Sequence, residues 1–185
     1  MITFKELLID INACEEARLW AGDRTIEEVL RDSWRGDWLL WLAKKLDLPL
    51  NKLTLAKSRC AKTVIHLMKD KRSVDAVNVA EKFGLDECTL EELNNAYAAA
   101  YAAAYAAAAA VAAYAAYADA AAVAAYAAYA DAAAAAVAAY AAYADAAAAA
   151  DADAARIKNR QKTSDICVDI LGELLTKAVN SRLTK

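Results

Sequence analysis

Residues 96–155 use only four residue types, Ala, Tyr, Val and Asp, and this tract constrains the fold more than anything else in the chain. The nonapeptide VAAYAAYAD occurs unchanged at 111–119, 123–131 and 137–145, and Tyr97, Tyr101 and Tyr105 recur every fourth residue ahead of it. Alanine is the strongest helix former and no Gly or Pro interrupts the tract, so its expected state is helix. The rest of the chain agrees. Four glycines and one proline in 185 residues leave few turn formers for a strand-rich fold. The expected class is all-α.

Helical geometry then gives the tract a shape. At about 100° of rotation per residue, Val111, Tyr114 and Tyr117 share one side of the first repeat, with Asp119 behind. Successive repeats start 12 and then 14 residues apart, which swings that face by about 120° and then about −40°. A straight rod would aim its tyrosines in several directions and reach ~90 Å. The expectation is therefore two or more antiparallel helices, bending near some of Asp119, Asp131, Asp145 and Asp151, because Asp is a good N-cap. One unbroken rod is the alternative, since no Gly or Pro marks a turn. All nine tyrosines lie here (Tyr97, Tyr101, Tyr105, Tyr114, Tyr117, Tyr126, Tyr129, Tyr140 and Tyr143). Turned inward, each buries ~150–250 Å², an upper bound of about 4–6 kcal/mol. Ordering costs ~1–2 kcal/mol per residue, so the tract is expected to lean on flanking helices at 90–96 and 156–183.

Composition divides the chain into a mixed head at 1–95, the repeat at 96–155 and a net basic segment at 156–185. These are expected to pack as one continuous helical array, the last segment forming a C-terminal helix on the rest. The head is a run of short helices with punctuation. Thr3 with Glu6, Thr25 with Glu28, and Thr89 with Glu92 fit the capping box. Gly22 and Gly84 stand where a glycine would end a helix. Asp37 is placed to cap a helix that Pro49 stops from continuing. The expected helices are 4–21, 26–33, 37–47, 50–69, 74–83 and 90 onward.

Several chemistries are disfavoured. A net charge of −3 is unlike a dedicated nucleic-acid binder. Cys14, Cys60, Cys88 and Cys167 form no C-x-x-C pair, and with a single histidine a zinc site of usual spacing is not expected. They read as reduced thiols of a cytoplasmic protein, and Lys5 and Glu6 interrupt any apolar leader. Residues 96–118 are uncharged, but one valine among alanines and mid-segment tyrosines argues against membrane insertion. His66 beside Leu67 and Met68 has no evident nucleophile, no glycine-rich phosphate loop exists, and the tract aspartates lack the glycine-containing spacing of Ca²⁺ loops. No cofactor is expected, and the chain is not expected to be an enzyme.

Two constellations remain as candidate partner surfaces. Trp34, Trp38 and Trp41 are spaced i, i+4, i+7 on one helix face, with Trp20 elsewhere in the head. Such a face most simply packs into the core, and alternatively anchors a partner. Lys52, Lys57, Arg59, Lys62, Lys69, Lys71 and Arg72 make a basic stretch. It reads first as a solvated face and second as a docking face for an acidic partner or phosphates. The candidate partner-binding residues are Trp34, Arg35, Trp38, Lys57, Arg59 and Lys62.

Arg35-Gly36-Asp37-Trp38-Leu39-Leu40-Trp41-Leu42-Ala43, the segment KLTLAKSRCAKTVIHLM at 52–68, the Ala/Tyr-rich tract and SDICVDIL at 164–171 together resemble the immunity-protein-five-like family of bacterial polymorphic-toxin loci, also seen in phage genomes. The GDWLLWL segment is the most specific part of that resemblance. It implies a chain that binds and neutralises a protein toxin without catalysis, and it transfers no catalytic residue. A self-assembling helical scaffold is the alternative expectation. Ice binding is weaker, because the tract has no regular row of threonine.

Overall fold

The computed structural model describes residues 2–68, 70–106 and 149–184. Among them are eight α-helices and no strand, and the helices pack into one array. They are α1 (Phe4–Asp10), α2 (Glu15–Ala21), α3 (Ile26–Asp32), α4 (Gly36–Lys45), α5 (Leu50–Lys62), α6 (Lys71–Gly84), α7 (Leu90–Ala106) and α8 (Ala149–Leu183), with a 3-10 turn at Ile65–Leu67. The three VAAYAAYAD repeats, with Tyr114, Tyr117, Tyr126, Tyr129, Tyr140 and Tyr143 and the bends expected near Asp119, Asp131 and Asp145, lie outside the described residues. So do the side chains of Tyr101, Tyr105 and Asp151 and any choice between rod and hairpin.

The expected capping boxes form. In α1 the Thr3 hydroxyl accepts the Glu6 N–H at 3.2 Å and the Glu6 carboxylate accepts the Thr3 N–H at 2.7 Å. Thr25 with Glu28 opens α3, and Thr89 with Glu92 opens α7, in the same way. In each, an orphan donor at the helix start is satisfied on both sides.

Helix ends differ from the sequence expectation, and one reason recurs. The span 4–21 is two helices, because Asn12 takes φ 59° and the Ala13 N–H turns back to the Leu8 carbonyl at 2.8 Å. Asp47 (φ 54°) ends α4 and Asp86 (φ 62°) follows α6, with the Leu48 and Glu87 N–H groups returning to Ala43 and Lys82. Short polar side chains tolerate the left-handed conformation, so Asn and Asp terminate three helices here. Gly22 does so after α2, with φ 54°. Gly84 is the last residue of α6 and keeps helical backbone, the left-handed stop coming at Asp86; a glycine is needed there because a Cβ would lie 2.5 Å from the Leu55 Cβ. Asp37 is not the cap of α4. Arg35 holds the N-cap position with no side-chain capping bond, and Asp37 sits inside the first turn. Helix α5 stops at Lys62, seven residues early, and α6 begins at Lys71, where the Asp70 carboxylate accepts the Arg72 N–H at 2.8 Å.

The compositional boundaries are not structural ones. Helix α7 runs without a break from the head into the tract, and α8 starts inside the tract and continues to Leu183. The long α8 presents Ser164, Cys167, Leu171, Leu175 and Val179, all buried and spaced three or four apart, to α3, α4, α5 and α1. Around this stripe lies a core containing Leu7, Ile26, Leu39 and Leu40. On the other side of α5 a second core joins α6 and α7 through Ala61, Ala76, Val77, Ala80, Leu93 and Ala100, with Tyr97 partly buried against it. No helix among the described residues is long and apolar enough to cross a membrane.

Candidate functional site

The linker between α3 and α4 is short, and α8 fixes its backbone. The Ser33 carbonyl accepts the Ser164 hydroxyl at 2.9 Å and Gln161 Nε2 at 3.5 Å. The Gly36 carbonyl accepts the Cys167 thiol at 3.6 Å. Gly36 is needed for this approach, since a Cβ would meet the Thr163 carbonyl carbon and oxygen at 2.7 Å. With both carbonyls held, the intervening Trp34 and Arg35 project from a fixed turn.

Arg35 folds forward onto its own helix start. Its Nε and Nη2 meet the two Asp37 oxygens at 2.7 and 2.5 Å, a fork-to-fork pair, and its Nη1 lies 3.4 Å from Glu16 of α2. Both side chains of the main pair are mostly buried, 17% and 16% exposed. The Asp37 carboxylate raises the Arg35 pKa above its ordinary value, with burial opposing. The guanidinium is a permanent cation in this site.

That cation is the middle of a stack. Its carbon lies 4.6 Å from the Trp38 ring centre and 5.6 Å from that of Trp34. Trp34 carries Arg160 of α8 at 5.6 Å, Trp38 meets Trp20 of α2 at 5.6 Å, and Trp20 carries Arg24 at 5.2 Å. Trp34 and Trp38 also meet edge to face at 6.1 Å. The order along the surface is therefore Arg160, Trp34, Arg35, Trp38, Trp20, Arg24. Each cation–π contact is worth ~0.5–2 kcal/mol, depending on exposure. All four tryptophans are half-buried: they neither vanish into the core nor stand free of it.

Beside the stack, a cavity of about 350 Å³ opens between α1, α2 and α4. Its wall is mainly apolar, including Phe4, Leu8, Trp20, Trp38 and Trp41, with Glu16, Arg35 and Asp37 as its charged groups. The exposed Leu19 of α2, at 74%, stands next to it in sequence. Trp and Arg around an apolar recess are the composition of binding hot spots. Among the described residues no group of three or more His, Cys, Asp or Glu side chains is placed to hold a metal ion.

Of the residues singled out from sequence, Trp34, Arg35 and Trp38 come together. Lys57, Arg59 and Lys62 do not join them as an open basic face. Lys57 is 1% exposed on α5, so it cannot reach a partner without unfolding its surroundings. Arg59 and Lys62 converge on Glu81 of α6, Arg59 at 3.4 Å. The Lys62 hydrogen bond holds the Glu81 carboxyl below its usual range, helped by Arg59 and opposed by burial. Two members of the basic stretch, Arg59 and Lys62, are therefore engaged in joining α5 to α6. Arg24 and Arg160 belong to the stack and Glu16 pairs with its central Arg35, and the sequence pattern points to none of the three. Arg160 lies in a different compositional segment, and no local pattern links it to Trp34. Comparison of the chain with protein-family models, with curated proteins and with solved structures finds no match.

Proposed function

We propose that this chain is a non-catalytic, immunity-type protein of the cytoplasm that binds and neutralises a protein toxin through the tryptophan–arginine surface around Arg35. One observation carries the proposal. The GDWLLWL segment, on which the family resemblance rests, supplies Trp38 and Trp41 to a half-buried aromatic surface with an apolar recess beside it. Rigid aromatic side chains already held by a stack lose little entropy on binding. The four free cysteines fit a reducing compartment.

The test is to find a gene for a secreted toxin beside this one and to coexpress the two, read as growth rescue and as co-purification. Trp34→Ala and Arg35→Ala should each reduce capture at least tenfold while the far-ultraviolet circular dichroism stays helical. Full rescue by both variants at native-like expression would overturn the assignment of this surface. Failure of the unaltered chain to rescue growth or to retain the toxin would overturn the immunity reading.

A further inference from the structure

Cys60 and Cys167 sit 107 positions apart in sequence, yet their sulfurs are 3.8 Å apart where α5 crosses α8. Both are buried, 1% and 0% exposed. Each thiol also has a carbonyl within reach: the Thr163 carbonyl is 3.7 Å from the Cys60 sulfur, and the Gly36 carbonyl is 3.6 Å from that of Cys167. The side chains thus converge from two helices whose backbones are already held by close packing. A bond between them needs the sulfurs to close to about 2.05 Å, a movement of under ~2 Å. At the candidate binding surface only the Cys167 thiol has a part, in holding the Gly36 carbonyl.

We infer that Cys60 and Cys167 are a redox modification site, a thiol pair that a hydroperoxide converts to a disulfide tying α5 to α8. One thiolate attacks the peroxide oxygen; the O–O bond breaks, and a sulfenic acid and an alcohol (water, from hydrogen peroxide) result. The second sulfur then attacks the sulfenic sulfur, the S–S bond forms, and water leaves with the hydroxyl and a proton. Two thiols are oxidised and one peroxide is reduced. The neighbouring Cys60 and burial push the Cys167 thiol well above its ordinary range, so the reaction proceeds through brief local opening and is slow at neutral pH. The pair differs in this from a fast sensor thiol, and the exposed Cys14 reacts first.

The disulfide closes a loop holding α6, α7 and the whole Ala/Tyr tract. Its main effect is to restrict the unfolded chain, and the loop is long. Oxidation is therefore expected to raise the Tm by about 5–15 °C in the absence of reductant.

The experiment treats the full-length protein with hydrogen peroxide for increasing times, alkylates free thiols, and digests with trypsin without reduction. Cleavage after Arg59, Lys62, Lys162 and Lys177 releases the peptides 60–62 and 163–177. The expected result is these two peptides joined, two hydrogens lighter than their sum. It should appear after Cys14 has been oxidised, faster at higher pH, and vanish with dithiothreitol together with the Tm gain. Recovery of Cys60 and Cys167 as alkylated thiols or as sulfinic acids, once Cys14 is fully oxidised, would overturn the inference. So would their joining only to Cys14 or Cys88. The measurement is made on the unaltered chain, so a variant's failure to fold cannot confuse it.

Discussion

The cores on the two sides of α5 are built from different material. Toward α8 the buried side chains are mostly large and aliphatic, Leu7, Ile26, Leu39, Leu40, Leu171 and Leu175 among them. Toward α6 and α7 four of the six buried residues are alanine, with Val77 and Leu93 as the bulk. Leucine gives ~1.5–3 kcal/mol on full burial, whereas a methyl group gives far less. The alanine side therefore depends on close backbone approach and on polar contacts between helices. It has both: Gly84 lies against Leu55, and Glu81 takes Arg59 and Lys62. A helix pair with little apolar area can be held by proximity and charge, at the cost of tolerating almost no added volume.

The largest expected effect separates the two cores directly. Leu40→Ala, at 1% exposure amid other large side chains, leaves a cavity that rigid neighbours cannot fill, and should cost about 4 kcal/mol in urea unfolding. Leu93→Ala removes the same atoms from among alanines, where α7 has room to settle closer, and should cost about 2 kcal/mol. Equal losses would mean that the alanine side is as rigid as the leucine side.

Added volume tests the converse. Alanine is better than glycine inside a helix by about 1 kcal/mol, so Gly36→Ala and Gly84→Ala should stabilise if the space were open. It is closed by backbone in both cases, Thr163 against Gly36 and Leu55 against Gly84. Backbone cannot rotate away, so a net loss of about 2–3 kcal/mol is expected for each. A gain in Tm for either would show that the helices are further apart than described.

How much of this was legible in the sequence depends on the range of the interaction. The all-α class, the three capping boxes and Gly22 are decided within four residues, and their signals were present. The stops at Asn12, Asp47 and Asp86 are also local, but the left-handed conformation of Asn and Asp competes with helix in a way that residue type alone does not resolve. Gly84 does stand at the end of α6, but the backbone of Leu55 that requires a glycine there is 29 positions away. The same holds for the site. Trp34, Arg35 and Trp38 share a short segment and were visible together. Glu16, Trp20 and Arg160 come from other elements, and Lys57, charged and therefore expected outside, is buried.

A smaller effect concerns the ion pairs that the alanine side relies on. The folded Glu81 pKa is lowered by Lys62 and Arg59, so the pair stabilises the fold above the unfolded carboxyl value of about 4.3 and ceases to do so as pH falls through the lower folded value. Glu81→Gln should lose about 1 kcal/mol at pH 7 and show a flatter Tm profile between about pH 5 and pH 3 than the unaltered chain. Parallel profiles would place the acid sensitivity elsewhere.

The smallest effect on stability falls on the leucine side, at the surface rather than in the core. Arg35→Lys keeps the positive charge beside Asp37 but removes the planar fork that meets both carboxylate oxygens and lies over Trp38 and Trp34. A lysine ammonium is a compact charge and cannot do both. The aliphatic core beneath is untouched, so a loss of only about 1 kcal/mol or less is expected in unfolding. Tryptophan emission should nonetheless shift and binding of the proposed toxin should weaken, because the stack loses its central member. If Arg35→Lys instead unfolded the chain as readily as Leu40→Ala does, the arginine would be a structural pin of the α3–α4 turn. The binding surface would then have to be sought on the exposed side of α2, around Leu19.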